Sequence, residues 1–362
     1  MEIRTTRASL YNGLTKVAKA INQKSIQAIM TCVMIEVTDD GVTLMGNDLE
    51  IGIKSKIDAD CIDRGSLAVE VGIFMNIVNK MNDGDITLIA EDGKLLIKGG
   101  KSKFEIPYKG TDDYPAIPDV DKGAYFSIDS RFFKDMVKQV SFAADMNASN
   151  RVMRGIYLTG SDDTITAVAL DGFRIAVRKL VVENLPEIKA IVPVKSMNDI
   201  AKILGDSNID IWVTDKFIEI DDGETTIIAR LIDGEYMDIS KILGQETGIK
   251  AEIDRKNLYD SIDRATLLVR DGSKKPVVFD IAGNNMDISA LTVSGSMNEN
   301  IGISHKGEDI RIGFDPKYTM DALSAIGDDT IKVYFSSPKA PAVIKDDEGT
   351  YVYIVLPVNL GG

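Results

Sequence analysis

Apolar and polar residues follow two periods along this chain, and the two periods recur in a fixed order. Three windows carry apolar residues at helical spacing, as in Leu10, Leu14 and Val17, and predict amphipathic helices. These helices are expected over residues 7–21, 130–144 and 254–268. Each window is followed by segments that alternate every second residue around a turn of Asp, Gly or Asn, which predicts β-hairpins.

A second, shorter helix and a second set of strands complete each copy of the pattern. The shorter helices are expected over residues 72–81, 195–204 and 316–326. Because no long crossover helix joins successive strands, we expect antiparallel sheets with helices on one face. The copies are spaced by about 120 residues, which suits a domain better than a solenoid repeat. The sequence therefore predicts an α+β fold of three similar domains, at residues 1–122, 123–246 and 247–362.

Composition is that of an ordinary globular protein of several domains. The chain has 362 residues, of which 44% are hydrophobic and 27% charged. Its two cysteines, Cys32 and Cys61, form no disulfide framework and suit a reducing compartment. The first residues lack the apolar stretch of a signal peptide, and no run is long enough to span a bilayer. We therefore expect a cytoplasmic protein.

The chain lacks most residues that common catalytic sites need. His305 is the only histidine, and it lies in a polar stretch. No phosphate-binding loop, dinucleotide motif or zinc motif is present. Paired carboxylates such as Asp162 and Asp163 occur where hairpin turns are expected, and turns favour Asp for backbone reasons. The sequence therefore predicts no catalytic residue, no metal site and no cofactor.

Charge is distributed unevenly between the predicted helices and the rest of the chain. The formal net charge is −14, which disfavours attraction of the whole molecule to nucleic acid. Nevertheless, five of the six helical windows carry a net positive charge, the largest between residues 7 and 24. Solvated helix surface would explain any one of them. Taken together they predict a basic helical face, which would hold DNA phosphates without reading bases.

Four motifs in this order resemble a known family over essentially the whole chain. They are GVTLMGNDLEIGI at 41–53, TAVALDGFRIAV at 166–177, LIDGEYMDISKIL at 231–243 and YVYIVLPVNL at 351–360. With the threefold repeat, they make the chain similar to the DNA polymerase III beta subunits, the sliding clamps of bacteria. The resemblance implies a homodimeric, non-enzymatic ring that encircles duplex DNA, with helices lining the hole and sheets outside. It also implies that the ring tethers the replicative polymerase.

The resemblance further implies a hydrophobic pocket that captures short peptides of polymerases, the clamp loader and repair proteins. Matched by motif, the expected lining is Leu158, Leu170, Gly172, Phe173, Arg174, Ile175, Met237, Lys241, Ile242, Phe279, Asp315, Tyr318, Pro341, Ile354, Val355, Leu356, Pro357 and Val358. Three residues depart from the family pattern, namely Phe173, Met237 and Asn359. They affect the expected polarity of the pocket and its choice of peptides.

One further set of residues is carried over from the family, and a second set consists of basic residues expected to meet DNA. The subunit interface is expected to involve Phe104 and Ile106 on one strand, and Leu267 and Leu268 at the end of a helix. Pairing that strand with a partner's edge would cover backbone groups that are otherwise unpaired. The residues expected to contact DNA are Lys24, Lys80, Arg151, Lys195 and Lys202.

Two other classes of protein stay open on the sequence alone. One is a carboxylate-based hydrolase in which Asp162 and Asp163 bind a metal, although catalytic sites seldom occur in triplicate. The other is a structural scaffold of repeats that makes no contact with DNA. The hydrolase would lose a metal-dependent activity when both aspartates are replaced by Ala, and only the clamp would show salt-dependent retention on DNA.

Overall fold

The computed structural model of the protein follows the predicted order of helices and strands. It describes residues 1–120, 123–243, 248–269 and 275–360, and the side chains of Ser240 and Lys241 fall outside that description. All the strand ladders in the described ranges are antiparallel, and the strands outnumber the helices. The predicted α+β class is confirmed. No helix within those ranges is long and apolar enough to cross a membrane.

The elements are numbered in chain order. The first predicted copy contains β1 (Glu2–Thr6), α1 (Arg7–Val17), β2 (Cys32–Thr38), β3 (Gly41–Asn47), β4 (Ile51–Ile57), β5 (Ala59–Asp63), β6 (Gly65–Glu70), α2 (Val71–Lys80), β7 (Asp85–Glu91), β8 (Lys94–Gly99) and β9 (Ser102–Pro107). The second contains β10 (Ala124–Asp129), α3 (Ser130–Ser141), β11 (Gly155–Ser161), β12 (Thr164–Leu170), β13 (Arg174–Val181), β14 (Ile188–Pro193), α4 (Val194–Ile203), β15 (Asn208–Val213), β16 (Phe217–Asp221), β17 (Thr225–Arg230) and α5 (Ser240–Leu243).

The third predicted copy repeats this order. It contains β18 (Ile249–Asp254), α6 (Arg255–Thr266), β19 (Val277–Ala282), β20 (Asn285–Thr292), β21 (Gly295–Gly302), β22 (Ser304–Lys306), β23 (Ile310–Phe314), α7 (Pro316–Ala325), β24 (Thr330–Phe335), β25 (Ala342–Lys345) and β26 (Tyr351–Val355). Short 3₁₀ helices lie at Ala18–Ala20, Ala28–Thr31 and Arg151–Arg154.

Side-chain caps fix where several of these helices begin. Thr6 accepts a hydrogen bond from the Ser9 backbone at the start of α1, and Asp254 accepts one from Asn257 at the start of α6. Asp315 caps α7 in the same way. Each cap pairs a backbone N–H that has no partner within its helix, so the strand before the helix ends at a defined residue.

Strand pairing continues across the predicted domain junctions. The four sheets have the orders β5-β1-β7-β8-β9, β10-β15-β16-β17-β4-β3-β2-β6, β14-β11-β12-β13-β26-β25-β24-β18-β22 and β21-β20-β19-β23. The second sheet joins two predicted copies where Ile227 of β17 lies opposite Ile53 of β4. The third does the same where Ile175 of β13 lies opposite Ile354 of β26. Each copy therefore contributes strands to two sheets.

Packing divides the chain into two compact units. The first comprises Met1–Arg131 and Asp199–Leu231, and the second comprises Phe132–Asn198 and Ile232–Gly362. In the first unit, Leu10 and Leu14 of α1 and Phe74 of α2 are fully buried, and α1 packs on β3 and β4 of the eight-stranded sheet. Gly46 of β3 is needed beneath α1, because a Cβ there would lie 2.3 Å from the Val17 carbonyl oxygen.

The second unit has its own apolar core. Leu258 of α6 and Leu323 of α7 are buried, and Phe279 of β19 packs against Phe314 of β23 with ring centroids 5.7 Å apart. Burying apolar side chains of this size stabilises by roughly 1.5–3 kcal/mol each. This packing holds the nine-stranded sheet, on which the candidate site lies.

The paired aspartates behave as turn residues. Asp162 and Asp163 join β11 to β12 with φ angles of 49° and 54°, the left-handed region that hairpin turns require. Among the described residues, no group of three or more His, Cys, Asp or Glu side chains is placed to hold a metal ion.

Replacing Phe74 by Ala is expected to lower the free energy of unfolding by about 3–5 kcal/mol, because a fully buried aromatic side chain would leave a cavity. Ile73 precedes it on α2 and is 54% exposed, so Ile73→Ala is expected to change the stability by about 0.5 kcal/mol or less. Guanidinium unfolding followed by circular dichroism measures both variants. Equal losses for the two would contradict this assignment of the buried face of α2.

Candidate peptide-binding groove

An apolar cluster lies on one face of the nine-stranded sheet in the second unit. Strand register places its members together, since Val168, Val177 and Val352 lie opposite one another on β12, β13 and β26. The buried members of the cluster are Val168, Leu170, Ile175, Val177, Ile239, Val343, Val352 and Ile354. Half-buried side chains pack against them, namely Met153, Tyr157, Tyr236, Ile242, Leu243 and Tyr334. The cluster therefore has a partly open apolar border.

The segment that leads into α5 covers part of this cluster. Tyr236 stacks on Tyr157 with ring centroids 4.9 Å apart, and its hydroxyl donates to the Val168 carbonyl at 3.4 Å. Burial raises the pKa of the Tyr236 hydroxyl above its usual value, so it remains a neutral donor. Next to it, Met237 is about half exposed. A flexible apolar side chain is therefore exposed one residue after the ring that packs on the cluster.

Arg174 begins β13 and projects to the opposite face from Ile175, because successive side chains of a strand alternate. It is only 7% exposed. Its Nε donates to Asp171 at 2.8 Å, its Nη1 to Asp321 at 2.5 Å and its Nη2 to the Phe142 carbonyl at 2.6 Å. Burial would lower the pKa of this guanidinium, but the hydrogen bond to Asp321 and the surrounding charges raise it overall. Each of the three guanidinium nitrogens of Arg174 thus donates to an acceptor within the protein.

Two aromatic rings extend from this ion-pair network to the surface. The guanidinium carbon of Arg174 lies 4.3 Å from the ring centre of Tyr318, which stacks in turn on Phe173 at 6.2 Å. Phe173 is 58% exposed. The turn before it is closed by Asp171, whose Oδ1 accepts from the backbone N–H groups of Phe173 and Arg174. Arg174 therefore holds an aromatic wall that ends in an exposed ring.

The tail after β26 lies alongside this wall. The backbone N–H of Leu356 donates to the Phe173 carbonyl at 2.9 Å, and that of Val358 donates to the Gly313 carbonyl at 2.8 Å. Pro357 and Val358 are half-buried, and Leu356 is exposed. We call the open border of the cluster, the Phe173–Tyr318 wall and residues 356–358 the groove.

The structure brings many of the sequence-predicted pocket residues to this groove. Leu170, Ile175 and Ile354 are in the cluster, and Ile242 packs against it. The residues around the wall, the tail and the start of α7 are Gly172, Phe173, Arg174, Asp315, Tyr318, Leu356, Pro357 and Val358, while Met237 directly follows Tyr236. Pro341 is half-buried just before β25. The side chain of Lys241 lies outside the described residues.

Three predicted residues lie apart from the cluster. Leu158 is buried on the sheet face of Arg178, because Leu158, Ala167 and Arg178 are opposite one another in the register. Val355 faces the same way, since it lies opposite Arg174. Phe279 is buried against Phe314 in the core of the four-stranded sheet. The groove as defined here does not include their side chains.

Sequence reasoning missed Tyr157, Tyr236 and Ile239. Tyr157 is adjacent to Leu158 on β11. Neighbouring side chains of a strand point to opposite faces of the sheet, so only Tyr157 faces the cluster. Tyr236 lies next to Met237 in the motif at residues 231–243. Its role depends on stacking with Tyr157, a contact between residues far apart in sequence, and the pattern of apolar positions does not contain it.

The residues predicted to contact DNA are all exposed, namely Lys24, Lys80, Arg151, Lys195 and Lys202. Lys24, Lys80, Arg151 and Lys202 make no salt bridge with any residue that the structure describes. By contrast, other basic residues of the helices are paired, such as Arg7 with Asp83 at 2.7 Å and Arg264 with Glu299. The unpaired cations are the ones that remain available to an outside anion.

The residues predicted for the subunit interface lie on an edge strand and just after a helix. Phe104 and Ile106 belong to β9, which is the edge strand of the five-stranded sheet, and Phe104 is exposed. Leu267, just after α6, is 83% exposed. The hairpin of β20 and β21 adds two exposed side chains that sequence reasoning missed, Leu291 and Val293. The turn of this hairpin lies next to the end of α6, because Gly295 is close to Leu268. The sequence does not show this proximity.

Three models of one protein family match successive parts of the chain. Family models of the DNA polymerase III beta subunit match at residues 1–118 for the N-terminal domain, 127–238 for the central domain and 240–359 for the C-terminal domain. The beta sliding clamp of Staphylococcus epidermidis is 28% identical over 99% of both chains.

Two solved structures are similar to this chain over nearly its whole length. A candidate DNA polymerase III beta subunit from Eubacterium rectale is 36% identical over 99% of both chains, with a TM-score of 0.95. The DNA polymerase sliding clamp of Bacillus subtilis is 25% identical over the full length of both, with a TM-score of 0.96.

The fold and the three consecutive domain matches define a sliding clamp, a processivity factor without catalytic activity. The chain belongs to the DNA polymerase III beta subunit family. The resemblance drawn from the sequence motifs is thereby confirmed, and so is the expectation that the chain is not an enzyme.

Replacing Arg174 by Ala is expected to lower the free energy of unfolding by about 3 kcal/mol, because Asp171 and Asp321 would keep their partly buried charges without a cation. Lys256→Ala is the control, since it breaks an exposed helical ion pair with Asp260 and is expected to cost about 0.5 kcal/mol or less. Urea unfolding followed by circular dichroism compares the two. A loss for Arg174→Ala no larger than that of the control would show that the network is not stabilising.

Proposed function

We propose that two copies of this chain form a closed ring in the cytoplasm, which encircles duplex DNA and tethers the replicative polymerase to it. The groove would hold short peptides of the polymerase, the clamp loader and other polymerases or repair factors, one peptide per protomer. The observation that carries this proposal is the combination of a sliding-clamp fold with an open apolar cluster beside an exposed aromatic wall.

The groove suits a peptide with aliphatic and aromatic side chains. Its floor is the buried cluster, and its borders are half-exposed apolar residues, among them Met237 and Leu356. Apolar anchors that enter such a site contribute most of the binding energy of short peptides. Because Arg174 is already paired with two carboxylates, we infer that it positions the wall and does not bind the peptide by its charge.

DNA would be held by exposed cations that have no fixed partner. Lys24, Lys80, Arg151 and Lys202 are of this kind, and Lys195 is also exposed. Contacts of this type to phosphate are weak, independent of sequence and sensitive to salt. Weak contacts favour sliding, since a closed ring would be retained by its topology and not by its affinity.

The two protomers would meet through their sheet edges. The strand β9 exposes an unpaired edge with Phe104 beside it, and the surface of Leu267, Leu291 and Val293 exposes apolar side chains. Burying both would remove an edge that is open to aggregation and cover a patch of apolar surface. A head-to-tail contact of this kind closes into a ring when its rotation permits.

Short overlapping peptides that cover the sequence of the replicative polymerase provide a test of the groove. At least one peptide is expected to bind the protein, and deleting residues 356–362 is expected to weaken it by about tenfold or more, because the tail forms one side of the groove. Fluorescence anisotropy measures the affinity. Leu49→Ala, which removes an exposed apolar side chain of the first unit, is the control and should bind normally. Equal affinity of the truncated and full-length proteins would refute the groove.

Retention on DNA tests the ring. Protein loaded onto a nicked circular plasmid by a clamp loader is expected to remain bound through gel filtration and to be lost after a single cut, because a linear duplex has ends from which a ring can slide. Leu267→Asp places a charge in the proposed interface and is expected to remove retention on the circle as well. Equal retention on circular and linear DNA would contradict topological binding.

A further inference from the structure

A second concave surface lies beside the C-terminal tail in the second unit. It is a cleft of about 520 Å³, lined by residues 357–360 of the tail, Pro338 and Lys339 of the loop before β25, and Arg311 of β23. This volume is within the range of ligand sites, which span about 300–1,000 Å³. We call it the tail cleft.

The tail is fixed in the position that forms one wall of this cleft. In addition to the hydrogen bond from Val358 to the Gly313 carbonyl, Leu360 packs directly on Gly313. A Cβ at Gly313 would lie 2.5 Å from Cδ2 of Leu360, so a larger residue at this position would displace the Leu360 side chain from this contact. A wall fixed in advance does not need to be ordered when a ligand binds, which lowers the cost of binding.

The tail cleft is positively charged in a protein that is otherwise strongly acidic. Arg311 and Lys339 line it, and no acidic side chain does so among the residues that the structure describes. Arg311 is 3.7 Å from Asp280, but both side chains are largely exposed, so this pair is weak and leaves most of the guanidinium donors available. Lys339 is exposed and makes no salt bridge within the described ranges. The cleft therefore favours carboxylate groups.

The tail cleft shares two residues with the groove. Pro357 and Val358 line the cleft, and the same two residues follow Leu356 along the border of the groove. A polypeptide lying in the groove would therefore need to cross only the tail to reach the cleft. The apolar side chains of Pro338, Pro357 and Leu360 would contact its backbone and stems, while the two cations would meet its charges.

We propose that the tail cleft binds an acidic segment of a partner protein, next to the part of that protein held in the groove. This inference rests on the proposed function of the groove and adds a preference among partners. A peptide with Asp or Glu beside its apolar anchors would bind more tightly than one with neutral residues there. Arg311 and Lys339 are the residues that make this distinction.

Labelled versions of the polymerase peptide that binds best in the overlapping set would test this preference. One version carries a run of Asp before the apolar anchors, one carries it after them, and a third carries Asn in both places. The version whose Asp run reaches the tail cleft is expected to bind about five- to tenfold more tightly than the Asn version at low salt. This factor is what two exposed charge contacts provide. This advantage should shrink as salt is raised.

Arg311→Ala with Lys339→Ala is expected to abolish the advantage while leaving the affinity for the Asn version unchanged. Lys189→Ala removes an equally exposed lysine from β14 and should preserve the advantage. The proposal is overturned if acidic and Asn versions bind equally, if the advantage survives in the double variant, or if Lys189→Ala abolishes it too. If no polymerase peptide binds at all, the proposed groove has failed instead, and the two failures are thus distinguishable.

Discussion

The antiparallel pairing of β13 with β26 is the contact on which the candidate site depends. Five residue pairs join these strands, from Arg174 with Val355 to Arg178 with Tyr351. Because side chains alternate along both strands, the same ladder places Ile175 and Ile354 in the apolar cluster and Arg174 on the opposite face among carboxylates. The two strands come from different copies of the repeat, so the site exists only when the sheet continues from one copy into the next.

Much of the fold could be predicted from the sequence because local signals were strong. The six longer helices lie where helical spacing placed them, and the hairpin that turns at Asp162 and Asp163 matches its pattern. Local signals fail where the outcome depends on tertiary packing. Leu158 and Tyr157 are neighbours that both suit a strand, and only the sheet register decides which one reaches the cluster. Phe279 fits a pocket by residue type but is buried in another core.

The net charge of a helical window describes only part of the electrostatics of this protein. The helical windows are net positive, yet several of their basic residues are paired, as Arg7 is with Asp83. Arg264 is likewise paired with Glu299, and in both pairs the acidic partner lies far away in sequence. A sum over a window cannot distinguish a cation held by the protein from one available to a ligand. The structure makes this distinction, and it leaves Lys24, Lys80, Arg151 and Lys202 as free cations within the described ranges.

Exposed residues and an enclosed ion-pair network lie close together at the start of β13. Phe173 and Met237 are exposed at the border of the groove, whereas the ion pairs of Arg174 are enclosed one residue away. Substitutions at the two exposed positions alter the surface that a partner meets and leave the buried network as it is. Single substitutions at these positions are therefore expected to change which peptides the proposed groove can hold, with little loss of folding stability and without remodelling the sheet beneath.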